Sequence, residues 1–372
     1  MHGGRKVVGV LPDGSPNDRV ATGQFFDDIA ERAEHAHGVH HDADRKAIPF
    51  NKLPRHHLRR SHTLAATVVL ATAALAAPPS PSTFSIVAAD PEAGEVGVCV
   101  ASKFFSVGSV VPFAQAGAGG VATQSFANTS YGPRGLELLE RGLAAGEVVR
   151  VLTRPDDDRD KRQLGVVTAS GDSATYTGSK CNPWAGGRHG PGYAVQGNIL
   201  TGKPVVAAME KAFLESKGKP LAERLYAAIV AGDAAGGDSR GRQSIALLVT
   251  RAKGGYGGFT DRAVDLRVDD HPDPIVEMGR LLGMGLVNDY WNRGWTAFTE
   301  KRFADALPWQ ERAAAMAEKQ PAVLPEVLYD LAVIRLAAGD KPGAQKALDR
   351  ALTLNPKLKT QFEKDHDLDK LR

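Results

Sequence analysis

Cysteine is scarce: Cys99 and Cys181 are the two in a chain of 372 residues. That excludes a disulfide-dense scaffold and any zinc site built on four thiolates. Histidine is thin where a folded body is expected, because eight of the 11 lie in residues 1–62 and only His189, His271 and His366 follow. Those three show no HExxH or comparable metal-binding spacing. Charge of one sign is also missing. The 46 Lys and Arg against 43 Asp and Glu leave +3, too slight a surplus to point to nucleic acid. No GxSxG elbow follows a strand, and no phosphate-binding loop is present. What remains is ordinary for a globular chain, 42% hydrophobic and 24% charged, with room for two or three domains. Nothing in the sequence asks for a cofactor.

The first 82 residues read as an extension plus a signal peptide. His56, His57, Arg59 and Arg60 precede the uncharged run Leu64–Ala77, and a Pro-rich segment follows. At 1.5 Å per helical residue this run is too short to cross a hydrocarbon core of about 30 Å. It does fit a secretory apolar region behind a basic segment. The Arg pair lacks apolar residues directly behind it, which favours general secretion over a twin-arginine route. The expectation is therefore export to the periplasm or outside the cell, with no stable membrane span after processing. Counted from Met1 the basic segment would be about sixty residues, several times the usual length. The reading places the true start near Leu53 or Leu58, with residues 1–52 upstream of it. The His35–His41 segment (HAHGVHH) then reads as a solvated extension and not a metal site.

Beyond residue 82 the patterning is that of a folded body. TFSIVAAD (Thr83–Asp90) alternates apolar and polar positions, PEAGE supplies a turn, and VGVCVASK (Val96–Lys103) forms a second strand, together a hairpin. Further strands are expected over Gly119–Phe126, Gln163–Ala169, Ser173–Gly178, Gly192–Asn198, Ser244–Thr250 and Ala263–Asp269. Helices are expected over Pro133–Leu143, Pro204–Ser216 and Pro220–Gly232, each with the usual Pro-start, Gly-end asymmetry. Strands and helices come in blocks, which predicts α+β layering and not a doubly wound sheet. Cys99 reads as a buried strand residue, with pairing to Cys181 as the alternative in an exported protein. Asp269, Asp270 and His271, before Pro272, read as a domain-closing loop in preference to a metal clamp.

From Leu286 onward the chain becomes Ala-rich helix. Leu328, Leu331, Ala332, Gly339, Ala344, Leu348, Ala351 and Pro356 resemble the tetratricopeptide pattern, and Gly294, Phe298, Phe303, Ala306 and Ala313 form a looser upstream copy. Gly294, Ala306, Ala332, Ala344 and Ala351 are expected where helices pack closely, with function on a solvent-facing concave side. A tail helix is expected near Leu358–Lys370. The resulting division is 1–82, 83–285 and 286–372.

TFSIVAAD, VGVCVASKFFSVGSVVPFAQAGAGGVATQSFANTSYGPRGLELL, YTGSKCNPWAGG, YAVQGNIL, GGDSRGRQSIALLV and DLRVDDHPDP, over about residues 83–282, resemble the bacterial family called domain of unknown function 1028. That family is grouped with N-terminal-nucleophile (Ntn) hydrolases. The resemblance implies a four-layer αββα sandwich, here followed by the all-α helical module. It also implies that Thr83, once first in the mature chain, is a nucleophile whose α-amine serves as base. An α-amino pKa of about 7.7–8 suits that task. Lys103 is implied to lower the nucleophile's pKa or stabilise an oxyanion, Asn198 to donate to the oxyanion, and Asp238 to orient the amine. The acidic residue usual after the second strand is absent, with Ala101 and Ser102 standing there. Gln124, Ser125, Asn128, Trp184, Gln196 and Arg240 are candidates to line the cleft.

Two readings stand. One is an exported Ntn-type amidohydrolase acting on an amide or peptide. The other is a non-catalytic binding or scaffold protein that holds a protein partner through residues 286–372. A cut after Ser82 exposes Thr83 and favours the first; a cut after Ala76 leaves Ala77 first and favours the second. The oligomeric state is left open by the sequence.

Overall fold

The computed structural model describes residues 83–372. The signal-peptide, upstream-start and His-rich readings therefore lie outside the described residues. All described residues belong to one compact unit. β1 (Thr83–Asp90) and β2 (Glu95–Ser102) form the expected hairpin, in register from Asp90↔Glu95 to Thr83↔Ser102. The remaining strands are β3 (Pro112–Gln115), β4 (Gly119–Gln124), β5 (Gln163–Thr168), β6 (Ser173–Thr177), β7 (Gly186–Gly190), β8 (Tyr193–Asn198), β9 (Ser244–Arg251) and β10 (Arg262–Val268). They build two antiparallel sheets, one ordered β10-β9-β2-β1-β8-β7 and the other β3-β4-β5-β6. β3 and β7 were not expected. β3 is a four-residue edge strand that opens on Pro112. β7 reads GGRHG, with no apolar alternation to betray it.

Alternation along the central strands assigns the two faces of the first sheet. Phe84, Ile86 and Ala88 point to helices α3 (Lys203–Glu215) and α4 (Leu221–Ala234), where Met209, Phe213, Leu225 and Ile229 cover them. Val87, Ala89, Val96, Val98 and Val100 point the other way and meet Ala122 and Val167 of the second sheet. That sheet's outer residues Val121, Leu164 and Val166 pack under α1 (Tyr131–Glu140) and α2 (Ala145–Thr153). The α+β expectation holds in this form: two antiparallel sheets face to face, with helices on both outer faces.

Helix α5 (Pro274–Thr299) starts twelve residues before the helical segment was expected. The boundary drawn at 285/286 falls inside it. Ile275, Met278 and Leu282 before that point, and Leu286, Val287 and Tyr290 after it, share one core with β1 and with α7 (Leu324–Ala337). A buried ion network strengthens the join. Arg251 of β9 donates to Glu95 of β2 (2.8 Å) and to Asp289 of α5 (2.8 Å). Arg293 of α5 donates to the same Glu95 (2.6 Å) and to Asp289 (2.8 Å).

α6 (Phe303–Ala317), α7, α8 (Lys341–Leu354) and the short α9 (Leu358–Phe362) complete the chain, and a terminal 3-10 turn at His366–Leu371 replaces the rest of the expected tail helix. Ala306, Ala332, Ala344 and Ala351 are all fully buried, as their expected packing role requires. At Gly294 a Cβ would lie 2.8 Å from Gln310 Oε1 and 3.2 Å from the Gln310 nitrogen, so α5 and α6 meet backbone to backbone. α7 is sheathed nearly all round. Leu324, Val327, Leu328, Tyr329, Leu331, Ala332, Val333 and Ile334 are buried, and the Tyr329 hydroxyl donates to Asp365 of the C-terminal segment (2.8 Å). Among the described residues no helix is long and apolar enough to cross a membrane.

Candidate functional site

The layer between the two sheets changes character along its length. At one end it is valine and alanine; at the other, the same inward-facing strand positions carry Thr83, Ser85, Ser102, Gln124, Gln163, Gln196 and Asn198. All seven are buried. Pairing explains their convergence: Thr83 stands opposite both Ser102 and Asn198, Ser85 opposite Gln196, and Gln124 opposite Gln163.

Their side chains form one directional hydrogen-bond network. Thr83 Oγ1 lies 3.3 Å from Ser102 Oγ. The Thr83 carbonyl accepts from Gln124 Nε2 at 3.2 Å and from Asn198 Nδ2 at 3.5 Å. Both of those amides also donate to Gln163 Oε1, at 2.8 and 3.0 Å. Gln163 Nε2 in turn donates to Thr177 Oγ1 (2.9 Å) and to the Gly197 carbonyl (2.8 Å). Gln196 Nε2 donates to Ser85 Oγ, and Ser85 Oγ to Gln124 Oε1, each at 2.6 Å. Gly165 leaves room for this arrangement, because a Cβ there would sit 2.2 Å from Gln196 Oε1. None of the seven side chains ionises in the ordinary pH range. The network therefore fixes geometry without introducing charge, and satisfies polar groups that would otherwise be costly to bury.

Of the candidate residues, Gln124 and Asn198 contact Thr83 and Gln196 joins them through Ser85. Ser85, Ser102 and Gln163 were not singled out. Their signal was phase: Ser85 lies two residues from Thr83 on the same strand face, and Gln163 opens a strand at an inward-facing position. Lys103 sits one residue beyond Ser102, but its ammonium points outward, donates to the Arg242 carbonyl (3.2 Å) and makes no hydrogen bond to Thr83. Asp238 accepts from the Lys103 backbone N–H (2.8 Å) and pairs with Arg240 (3.1 Å). Its observed partners tie the end of β2 to the 238–242 loop.

Other candidates belong to the loops around this end. Asn128 donates to Asp156 (3.2 Å), which also accepts from Tyr131 (2.7 Å) and Arg162 (3.0 Å). Arg162, with Tyr131 and Asn128, holds the Asp156 carboxyl well below the usual carboxylate range. Arg162 also donates to the Phe126 carbonyl, so this cluster clamps the loop that leaves β4. Ser125 adopts φ 55° in that loop, and nearby the Cys181 thiol donates to the Arg162 carbonyl (3.3 Å). The Trp184 carbonyl accepts from the Leu200 N–H (3.0 Å), and its ring packs against the helix-side core.

The two cysteines are separate thiols, Cys99 buried and Cys181 half-buried, and burial pushes both thiols up. Asp269 accepts from Ser106, Asp270 from Gln243, and His271 from the Asp273 N–H, the bonds of a closing loop. Among the described residues no group of three or more His, Cys, Asp or Glu is placed to hold a metal ion.

A family model described as a family of unknown function, DUF1028, matches residues 83–278, opening on Thr83 itself. The crystal structure of protein SPO2555 from Silicibacter pomeroyi, carrying the same family model, is similar at 32% identity and a TM-score of 0.50. The match covers 54% of this chain and 84% of that one. No curated protein matches the chain.

Proposed function

The chain belongs to the DUF1028 family of unknown function, and we propose that it is an exported Ntn-type amidohydrolase in which Thr83, once freed as the first residue, attacks an amide bond. In this reading the paired sheets with helices on both faces form an Ntn-hydrolase-like αββα sandwich, and helices α5–α8 form tetratricopeptide-like pairs against it. Export rests on the basic and apolar pattern of residues 56–82. The carrying observation is the Thr83 environment: a hydroxyl at the start of a central strand, 3.3 Å from Ser102 Oγ, anchored through its own carbonyl by Gln124 and Asn198.

The network around Thr83 contains no base, which leaves the α-amine as the group able to take the hydroxyl proton. In the intact chain that nitrogen is bonded to Ser82, so cleavage there switches the site on. Thr83 Oγ1 then attacks the substrate carbonyl carbon while its proton passes to the α-amine. The amine returns that proton to the leaving nitrogen as the C–N bond breaks. Water hydrolyses the resulting Thr83 ester, releasing the acid and restoring the hydroxyl. Asn198 holds the nucleophile by donating to the Thr83 carbonyl, and the second amide hydrogen, given to Gln163 Oε1 in the resting site, is the one that transfers to the developing oxyanion. Asp238 acts at one remove, by fixing the β2 end and the 238–242 loop.

The test is covalent. Protein with Thr83 freed is treated with a β-lactone, and the adduct is located by mass spectrometry. One label on Thr83, absent in Thr83→Ala and retained in Thr83→Ser, is the expected result. Cys181 should stay unlabelled, because its raised pKa keeps it a thiol. No adduct on Thr83, with no turnover of any amide offered, refutes the proposal.

A further inference from the structure

The loops leaving β2, β4 and β8 at the Thr83 end are held in unusual backbone conformations. Ser106, Ser125, Phe126 and Ile199 have φ between 44° and 55°, and they are four of the six non-glycine residues with positive φ among those described. A bulky or β-branched side chain is strained there. At Phe126 the conformation goes with exposure of the ring, which is 42% exposed, while its carbonyl is fixed by Arg162. On the loop after β2, Phe104 and Phe105 are 38% and 62% exposed. Phe104 lies two residues beyond Ser102, and Phe126 two beyond Gln124. Phe105 lies one residue further on; two residues of chain span at most about 7 Å and three about 11 Å, and Ser102 and Gln124 both touch Thr83. Three phenylalanines therefore stand on the rim of this site with their rings partly in water.

Among the described residues of this rim, Lys103 is a cation with no carboxylate partner. Arg240 pairs with Asp238, Arg242 with Asp233 and Asp273, and Arg162 with Asp156. Lys103 uses one of its three N–H donors on the Arg242 carbonyl, which leaves donors and a full charge for a ligand.

We propose that this rim selects an N-acylated amino acid: an amide flanked by an apolar acyl group, which lies on Phe104, Phe105 and Phe126, and by a carboxylate that pairs with Lys103. The proposal rests on the Thr83 reading for the bond that is cut, but recognition is measurable without catalysis. Lys103 then serves specificity, which explains why its ammonium stands at the surface and not against the nucleophile.

The probe is N-phenylacetylglycine, compared with its neutral methylamide and with N-acetylglycine. Binding is followed by ligand-detected NMR at millimolar concentration, on the full chain and on protein freed at Thr83. Phenylacetylglycine should bind at least one of these forms. Its methylamide should bind about threefold more weakly, the scale of an exposed ion pair, and Lys103→Gln should erase that difference. Phe105→Ser and Phe126→Ser should each weaken binding about fivefold through lost apolar contact. No binding to either form, or equal binding of acid and methylamide, overturns the proposal, as does binding indifferent to Lys103→Gln and both Phe variants. A Thr83 adduct obtained alongside such a result would leave the nucleophile standing and remove only this specificity.

Discussion

Replacing Gln163 with leucine should show how strongly the buried network holds the end of the sandwich. In the native chain Gln163 Oε1 accepts from Gln124 and Asn198, and Nε2 donates to Thr177 Oγ1 and to the Gly197 carbonyl. Leucine matches the volume approximately and removes these four bonds together with a fifth, longer one from Gln163 Nε2 to the Gly186 carbonyl (3.3 Å). Gln124 and Asn198 keep their contacts to the Thr83 carbonyl, so the groups left worst off are one amide hydrogen on each of them and the Gly197 carbonyl. A buried polar group without a partner costs about 1–3 kcal/mol. Neighbours in one network do not add independently, and the expected loss is about 3–5 kcal/mol. For a domain of this size that corresponds to a fall in Tm of about 10 °C. Urea unfolding of wild type, Gln163→Leu, Gln124→Leu and the double variant closes a cycle. The double variant should cost less than the two singles combined, because each removes the other's partner. A Gln163→Leu cost under about 1 kcal/mol, or strict additivity in the cycle, would refute the view that these amides act as a unit.

Two further outcomes are expected. Asp289→Ala leaves Arg251 and Arg293 sharing only Glu95 and should cost about 3–5 kcal/mol as a broken buried ion network; urea unfolding should remain a single transition, and two separate transitions in wild type would show that the helical segment is not joined to the sandwich as described. Asp330, partly buried on α7, has its pKa pushed up to about 7 by desolvation, with Asp365 and Glu326 nearby, despite accepting a hydrogen bond from the Trp291 indole (2.7 Å). A carboxyl whose folded pKa exceeds its unfolded value of about 3.9 stabilises fully below the unfolded value and loses that contribution as pH rises toward the folded one. Asp330→Asn should therefore lessen the loss of stability between pH 5 and pH 8, read as urea midpoints, and an unchanged difference between the two pH values would count against a raised Asp330.

Much of the sandwich was legible because its strands obey a period of two. Thr83–Ile86 alternates polar and apolar residues, while Ile245–Val249 is a short continuous apolar run whose side chains still point to the two faces in turn, and each sheet buries one apolar face against the other and one against helices. β7 escaped because glycines and a histidine carry no such period; it exists by pairing with β8 from Gly186↔Gly197 to Gly190↔Tyr193. The boundary at 285/286 was drawn where the composition turns alanine-rich. Composition marks a change in packing partner and not an end of helix: α5 continues through it, because Ile275, Met278 and Leu282 cover one part of the core while Leu286, Val287 and Tyr290 cover the next. α7 shows the same limit in another way. Its repeat-like spacing gives which residues pack, but not that the C-terminal segment folds back and covers it through Asp365 and Leu368.

The site was half legible, and the half that was missed has one cause. Thr83, Asn198, Gln124 and Gln196 were reached through motif segments, one residue at a time. Gln163, which joins two of them, stands outside those segments and becomes visible only when polar residues at inward-facing strand ends are compared across strands. Thr83, Ser85, Gln124, Gln163, Gln196 and Asn198 all satisfy that rule, and so does Ser102. A two-layer sheet normally fills such positions with apolar side chains. Seven polar substitutes at one end, matched by paired register and closed by mutual hydrogen bonds, are hard to explain as packing alone, because an apolar core of similar volume would avoid the cost of satisfying every amide. What polar residues add there is a fixed direction for each N–H and each carbonyl. Three of them, Ser102, Gln124 and Asn198, meet at Thr83.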